Sequence, residues 1–119
     1  LYQSECRYGL LEKGKHPSIV RTKDEIHQNY QNPISLDELA GLSNVSPAHL
    51  IRIFRQAEGV TPMRYLWKVR VDHAQELLRH TGLSLGEIAE RTGFKSVYHL
   101  SRAIKHFSGR TPTDIRQNG

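Results

Sequence analysis

Apolar side chains recur along most of this chain at the spacing of amphipathic helices. Ile19, Ile26 and Tyr30 repeat near a 3.6-residue period with charged residues between them, and this pattern predicts a first helix. We expect this helix to begin at Ser18 and to stop before Pro33, because proline disfavours helical geometry in the residue that precedes it.

The rest of the chain repeats one helical pattern twice. Residues 35–62 and 84–112 share eleven identical positions when one extra residue is allowed in the second copy near Lys95. Two copies are too few for a solenoid, so we interpret them as a duplicated supersecondary unit. In the first copy the identical positions are Ser35, Leu36, Glu38, Ala40, Ser46, His49, Leu50, Arg52, Gly59, Thr61 and Pro62.

Each copy predicts two short helices separated by a tight turn. A serine followed three residues later by a glutamate opens the first helix as a capping box. Asn44 or Gly93, residue types that tolerate left-handed backbone geometry, is expected to end it. A second serine then caps another helix, and a glycine ends that one. This order predicts a helix-turn-helix in each copy. The caps are Ser35, Ser46 and Gly59 in the first copy, and Ser84, Ser96 and Gly109 in the second.

A long amphipathic helix is predicted between the two copies, over residues 62–80. At about 1.5 Å per residue it would be about 27 Å long. The predicted fold is therefore all-α, with about seven helices that form two helix-turn-helix subdomains and a linker helix. The expected divisions are 1–17 for a linker or the tail of an upstream domain, 18–61 for the first subdomain, 62–82 for the linker helix and 83–119 for the second subdomain.

Composition narrows the class of protein. The chain has 119 residues and a formal net charge of +5, from 17 basic and 12 acidic residues. Its length fits one compact domain or two very small ones. No apolar run approaches the ~20 residues that a membrane span needs. A single cysteine, Cys6, excludes an intramolecular disulfide and suits the cytosol. Because the chain opens at Leu1 rather than at methionine, we interpret it as a fragment of a longer protein.

The second helix of each copy has a non-core face suited to double-stranded DNA. A helix-turn-helix places this helix in the major groove and reads base edges from its N-terminal part. Arg52 and Arg102 hold the same place in the two copies, and arginine is suited to bidentate contact with guanine. The predicted DNA-binding residues are Ala48, Ile51, Arg52 and Arg55 in the first copy, and Val97, Tyr98, Ser101, Arg102 and Lys105 in the second.

The length of the linker helix adds an expectation about the target. It could put the two reading helices about one DNA turn apart, about 34 Å. One copy of the chain would then read two adjacent major-groove segments. The alternative interpretation of Arg52 and Arg102 is that they are solvated or paired with Glu38 and Glu87. The alternative function is a helical protein–protein adaptor, in which the same two faces bind an acidic partner.

Enzymatic and metal chemistry have little support in the sequence. The chain shows no nucleophile–base pair, glycine-rich phosphate loop or paired-carboxylate site, so we do not expect an enzyme. Seven histidines are present, but none forms H-E-x-x-H or another short ligand pair. We therefore expect neither a metal site nor a cofactor.

The motifs resemble a known family. The pattern SLDELA…S…HL.R.F….G.TP, followed by S..EIA...GF.S..HLSRA.K...G.TP, resembles the AraC/XylS family of bacterial transcription regulators over about residues 18–117. The resemblance implies a cytoplasmic regulator that binds specific DNA sequences, usually activates transcription and works with RNA polymerase. It also implies an N-terminal domain that responds to an effector ligand, and a buried structural ion pair for Arg70 rather than a DNA contact. The base-reading places of the family fall on Ala48, Ile51 and Arg52, and on Val97, Tyr98, Ser101 and Arg102.

Overall fold

Seven α-helices make up the part of the protein that the computed structural model describes, residues 16–118, and no strand occurs in that range. The predicted all-α class with about seven helices is confirmed. None of these helices combines the length and apolarity needed to cross a membrane. The helices are α1 (Pro17–Asn29), α2 (Leu36–Gly41), α3 (Pro47–Glu58), α4 (Pro62–His80), α5 (Leu85–Arg91), α6 (Val97–Ser108) and α7 (Pro112–Asn118).

The start of α1 differs from the prediction by one residue. The predicted linker 1–17, with Cys6, lies almost entirely outside the described residues, but its last residue, Pro17, is the first residue of the helix. Proline suits this position because its φ is already helical and it has no N–H to leave unsatisfied. His16 Nδ1 accepts a 3.0 Å hydrogen bond from the backbone N–H of Ser18 and so caps the helix.

Reciprocal capping boxes begin α2 and α5, as predicted. Ser35 Oγ accepts from the Glu38 backbone N–H at 3.1 Å, and Glu38 Oε1 accepts from the Ser35 N–H at 2.8 Å. Ser84 and Glu87 form the same pair of bonds at 3.1 and 2.9 Å. Because helices of six or seven residues are too short to persist alone, these local bonds define where each one begins.

A tight turn with one left-handed residue joins the two helices of each pair. That residue is Asn44 (φ 54°) or Gly93 (φ 89°), as predicted. The next residue donates its backbone N–H to an alanine carbonyl five positions earlier, Ala40 at 3.2 Å or Ala89 at 2.9 Å. Helix α2 ends three residues before Asn44 rather than at it, because the turn itself occupies those residues.

The chain divides into two compact units. The described part of the first unit is 16–30 and 34–66, and that of the second unit is 31–33 and 67–118. Helix α4 supplies its first five residues to the first unit and the rest to the second. One helix therefore belongs to both units.

The inward side of α3 corrects one predicted core position. Helical spacing predicts that Leu50, Ile53, Phe54 and Ala57 are buried together. Leu50 and Phe54 are fully buried, but Ala57 is exposed. The inward stripe continues at a spacing of four residues and brings Glu58 inside, where its carboxylate accepts a 3.3 Å hydrogen bond from Lys23 Nζ of α1. The buried apolar residues of the first unit are Ile19, Ile26, Leu39, Ala40, Leu50, Phe54 and Leu66.

Arg116 on α7 closes the C-terminal end of α4 in the second unit. Its Nε donates to the carbonyl of Leu78 at 3.3 Å, and its Nη2 donates to the carbonyls of Thr81 (3.2 Å) and Leu83 (2.7 Å). Helix ends leave carbonyls without intrahelical partners, and a positive charge there opposes the negative end of the helix dipole. The buried residues of this unit's core are Val71, Ala74, Leu78, Ile88, Ala89, Phe94, Leu100, Ile104 and Ile115.

Arg70 has the buried position that the family resemblance implies. It is 6% exposed, donates a 2.9 Å hydrogen bond to the carbonyl of Asn32, and lies 5.4 Å from the centroid of the Trp67 ring. Burial lowers the pKa of Arg70, yet an arginine guanidinium stays protonated in proteins. The bond to Asn32 connects the loop 31–33 to α4.

Removing the serine of either capping box should destabilise the fold. In Ser84→Ala the N–H of Glu87 loses its acceptor, and we expect the free energy of unfolding to fall by about 1 kcal/mol. Ser35→Ala in the first unit is the matched variant and should lose a similar amount. Urea unfolding followed by circular dichroism measures both. Wild-type unfolding energies in both variants would contradict a stabilising role for the boxes.

The α5 box also predicts a pH dependence. Hydrogen bonds with Ser84 lower the pKa of Glu87 in the folded protein, and the bond with the Ser84 backbone has a larger effect than the bond with its side chain. The folded state therefore favours the carboxylate, and this stabilisation is present above the ordinary glutamate pKa and lost as pH falls through the lower folded pKa. We expect Glu87→Gln to flatten the acid side of the stability–pH curve. An unchanged acid slope in this variant would contradict the assignment.

Arg116→Ala should destabilise the second unit, because the carbonyl of Leu78 in α4 and those of Thr81 and Leu83 in the following loop lose a charged donor. We expect a loss of about 1–3 kcal/mol in the free energy of unfolding. Arg110→Ala is the matched control: it removes the same charge, but Arg110 bonds only locally, to the Asp114 carbonyl of its own segment. Surface changes of that kind usually stay within about 0.5 kcal/mol. Equal losses in the two variants would show that charge, not capping, stabilises the unit.

Candidate nucleic-acid interface

The outer face of α3 carries the predicted residues of the first unit. Ser46 Oγ accepts from the His49 backbone N–H at 3.1 Å, so the helix begins at a defined residue. Of the four predicted side chains, three are exposed and Ile51 is half-buried. We name the set the α3 face, and its members are Ala48, Ile51, Arg52 and Arg55.

The outer face of α6 carries the predicted residues of the second unit. Tyr98 is 62% exposed and Val97 is 38% exposed, so two large apolar side chains face solvent in the first turn. That turn is the part of a helix-turn-helix reading helix that meets base edges. We name the set the α6 face, and its members are Val97, Tyr98, Ser101, Arg102 and Lys105.

Four members of the α6 face line one open depression of about 700 Å³. Two of them, Arg102 and Lys105, are cationic and exposed. A concave surface with fixed positive charge attracts anions more strongly than a flat one. The residues that line it are Tyr98, Ser101, Arg102 and Lys105 from the prediction, with Leu85, His106, Thr111, Pro112 and Thr113 beside them.

A histidine one turn earlier on α3 holds the arginine of the first unit. Arg52 Nη2 donates a 2.6 Å hydrogen bond to His49 Nδ1. Since a guanidinium is only a donor, His49 Nδ1 must be the acceptor. Arg52 is therefore held on the exposed face by a specific neighbour.

In the second unit a tyrosine holds the matched arginine. Arg102 Nη1 donates a 2.8 Å hydrogen bond to the Tyr98 hydroxyl, and its guanidinium carbon lies 5.5 Å from the centroid of the Tyr98 ring. The hydrogen bond raises the pKa of Arg102. The matched histidine, His99, has a different partner: its Nδ1 lies 2.8 Å from Ser96 Oγ.

The carboxylates proposed as alternative partners of the arginines have other roles. Glu38 and Glu87 accept from backbone N–H groups in the capping boxes. Lys105 donates to the Gly109 carbonyl at 3.2 Å, at the C-terminal end of α6. The described contacts thus direct the carboxylates to helix starts and leave the arginines with His49 and Tyr98.

Metal-ligating side chains do not cluster in the described part of the chain. Within residues 16–118, no three of the His, Cys, Asp and Glu side chains come close enough to hold one ion.

Sequence reasoning missed the pairing of His49 with Arg52. The repeat puts His49 and His99 at the same turn–helix junction, and this position predicts phosphate or a backbone group as the partner of both. The available signal was the residue that precedes each histidine, which is alanine in the first copy and tyrosine in the second. Side chains missed at the depression, such as His106 and Thr111, adjoin the α6 face from the end of its helix and the start of α7.

Comparison with known proteins places these features in a family. The family described as "Helix-turn-helix domain" matches residues 39–118. The chain belongs to this family of helix-turn-helix proteins. More narrowly, it is a member of the AraC/XylS transcription regulators, a family of DNA-binding regulators rather than of enzymes.

Two curated relatives are bacterial transcription regulators. The chain is 34% identical over 102 residues to the HTH-type transcriptional regulator GlxA of Rhizobium meliloti, with 86% of this chain and 32% of that protein covered. It is 34% identical over 90 residues to the Lactose operon transcription activator of Staphylococcus xylosus, with 75% and 32% covered. The chain thus spans about a third of the length of these relatives.

Two solved structures have the same fold. The C-terminal domain of AraT, a response regulator from Geobacillus stearothermophilus, superposes with a TM-score of 0.85 at 31% identity, over 90% of this chain and 89% of that one. The DNA-binding domain of the global transcriptional factor AdpA, solved in complex with a target DNA, gives a TM-score of 0.81 at 25% identity, over 87% and 93%.

Proposed function

We propose that this chain is the DNA-binding module of a bacterial transcription regulator and binds specific double-stranded sequences. Helices α3 and α6 would each enter the major groove, in adjacent segments of one duplex. One observation carries the proposal: the same residue of the repeat, Arg52 or Arg102, is an exposed arginine on the outer face of each reading helix. The DNA complex of AdpA, a protein of the same fold, supports it.

The residue types on the two faces suit complementary tasks. Arg52 and Arg102 present planar donor pairs that match guanine O6 and N7, and short apolar side chains such as Ala48 and Val97 suit thymine methyl groups. Arg55 and Lys105 lie further along the helices, where phosphate contacts fix orientation without reading sequence. Lys105 would exchange the Gly109 carbonyl for a phosphate oxygen.

The division of labour along the chain follows the duplication. We infer a first DNA-reading subdomain over 18–61, a linker helix over 62–82 and a second subdomain over 83–119. Helix α4 has 19 residues and so a length of about 28 Å. A single chain with two reading helices does not need a palindromic site.

The whole protein, of which this chain would be one part, is proposed to be a cytoplasmic activator. An N-terminal domain would bind an effector ligand, and the bound protein would act on RNA polymerase. The share of the relatives that the chain spans and the activator from Staphylococcus xylosus support this view. No enzymatic role is proposed, and neither a metal nor a cofactor is required.

Arg102→Ala should weaken a specific site by about 1–3 kcal/mol and relax one base position. The site would first be selected from a random DNA library with the wild-type chain, and variants would then be compared on it by fluorescence anisotropy. Arg52→Ala should relax a different position. Lys68→Ala is the matched control, because it removes the same charge from a side chain that already bonds Asp72 at 2.7 Å. A uniform loss on all sequences with Arg102→Ala would demote Arg102 to a phosphate contact.

Salt dependence separates the DNA-binding proposal from the adaptor alternative. A DNA-binding chain should lose affinity steeply and linearly in log salt, and Lys105→Ala should reduce that slope by about 1. Selection that returns no preferred sequence, together with a shallow salt slope, would instead favour a helical adaptor for an acidic protein.

A further inference from the structure

The two units hold their matched arginines with different neighbours. Arg52 bonds His49, three residues earlier, and Arg102 bonds Tyr98, four residues earlier. Since each residue advances about 100° around a helix, these neighbours lie about 60° to one side and about 40° to the other side of the arginine. The two guanidinium groups are therefore drawn in different directions around their reading helices, about 100° apart.

One sequence difference accounts for the two arrangements. The position that Tyr98 occupies in the second unit is Ala48 in the first, and alanine offers no hydrogen-bond acceptor on its side chain. In the first unit the arginine bonds the histidine instead. In the second unit the Tyr98 hydroxyl accepts the hydrogen bond from Arg102, and His99 lies beside Ser96 Oγ.

In each arrangement most N–H donors of the guanidinium remain available to bind DNA. A guanidinium has five N–H donors, and one hydrogen bond to His49 or Tyr98 occupies one of them. Fixing a long exposed side chain before binding reduces the conformational entropy that binding would cost. At the second unit the ring of Tyr98 also lies against the guanidinium, which limits its rotation further.

We propose that His49 and Tyr98 are positioning residues that set the directions in which Arg52 and Arg102 read DNA. This proposal rests on the DNA-binding function proposed above. In this proposal Tyr98 orients Arg102 and does not contact a base itself. His49 orients Arg52 and so affects which DNA sequences the first unit prefers. Arg52 and Arg102 would then contact DNA in different directions relative to their own helices.

The test for the second unit is a double-mutant cycle on the selected DNA site. Tyr98→Phe keeps the ring and removes the acceptor, and we expect about three- to tenfold weaker binding with reduced preference at the base position that Arg102 reads. In the Arg102→Ala background, Tyr98→Phe should have no effect. Wild-type affinity and preference in Tyr98→Phe would overturn the proposal, and so would equal weakening in both backgrounds, which would mean that Tyr98 contacts DNA itself.

The test for the first unit uses rescue by a similar acceptor. His49→Ala should reduce preference at the base position that Arg52 reads, whereas His49→Asn should restore it, because the asparagine side-chain oxygen can replace Nδ1 as acceptor. The matched control is His99→Ala, which should leave preference at the Arg102 position unchanged. Loss of that preference in His99→Ala, or failure of His49→Asn to rescue, would overturn the positioning role.

Thermal unfolding of each variant without DNA completes the experiment. Tyr98 is 62% exposed, so Tyr98→Phe should melt at the wild-type temperature. A lowered melting temperature that accounts for the lost binding would contradict positioning and indicate a structural role. If the wild-type chain itself selects no sequence, the DNA-binding proposal fails at that first step, and the cycle is not reached. Failure of the positioning proposal is seen only with a wild-type chain that discriminates.

Discussion

The angle between the two helices of each helix-turn-helix depends on a single turn. A left-handed residue, Asn44 or Gly93, reverses the chain, and one backbone hydrogen bond back to Ala40 or Ala89 closes the turn. Few residue types tolerate that backbone geometry, so the turn restricts the sequence more than the surrounding helices do. Every side chain of a reading helix takes its direction from this turn and from the serine cap that follows it.

Duplication preserved this local geometry while the stabilising contacts diverged. In the first unit a nearly buried ion pair, Lys23 with Glu58, ties α1 to α3. In the second unit Arg116 joins α7 to the last turn of α4 and to the loop after it by hydrogen bonds to backbone carbonyls. Both solutions join segments that are distant in sequence, which helices of six or seven residues require because they gain little stability from their own hydrogen bonds. The helix-turn-helix backbones of the two units are thus alike, but different side-chain contacts stabilise each unit.

The sequence predicted the local features of the fold well. Capping boxes, left-handed turn residues and C-cap glycines depend on neighbours within a few positions. Their patterns can therefore be recognised directly in the amino-acid sequence. Ala57 was placed in the core wrongly, because a helical stripe can continue at a spacing of three or four residues and only packing decides between them. Glu58 took the inward place because Lys23, on another helix, offered a partner.

Contacts at longer range escaped prediction for the same reason. Arg116 reaches carbonyls 33 to 38 residues away, and no periodicity connects them. On the candidate interface, the sequence located the exposed faces and both arginines, but not their hydrogen bonds. Whether Arg52 turns toward His49 depends on side-chain rotamers, which the sequence pattern does not specify.

Helix α4 has a consequence for how the protein folds. Its first turn belongs to one unit and its remaining turns to the other, and the helix is continuous through residues 62–80. Starting a helix is the costly step, whereas extending one is nearly free. We therefore expect that whichever unit forms first has already started α4, so that the other unit extends this helix rather than starting one. The order in which the two units fold would then be linked through one shared helix.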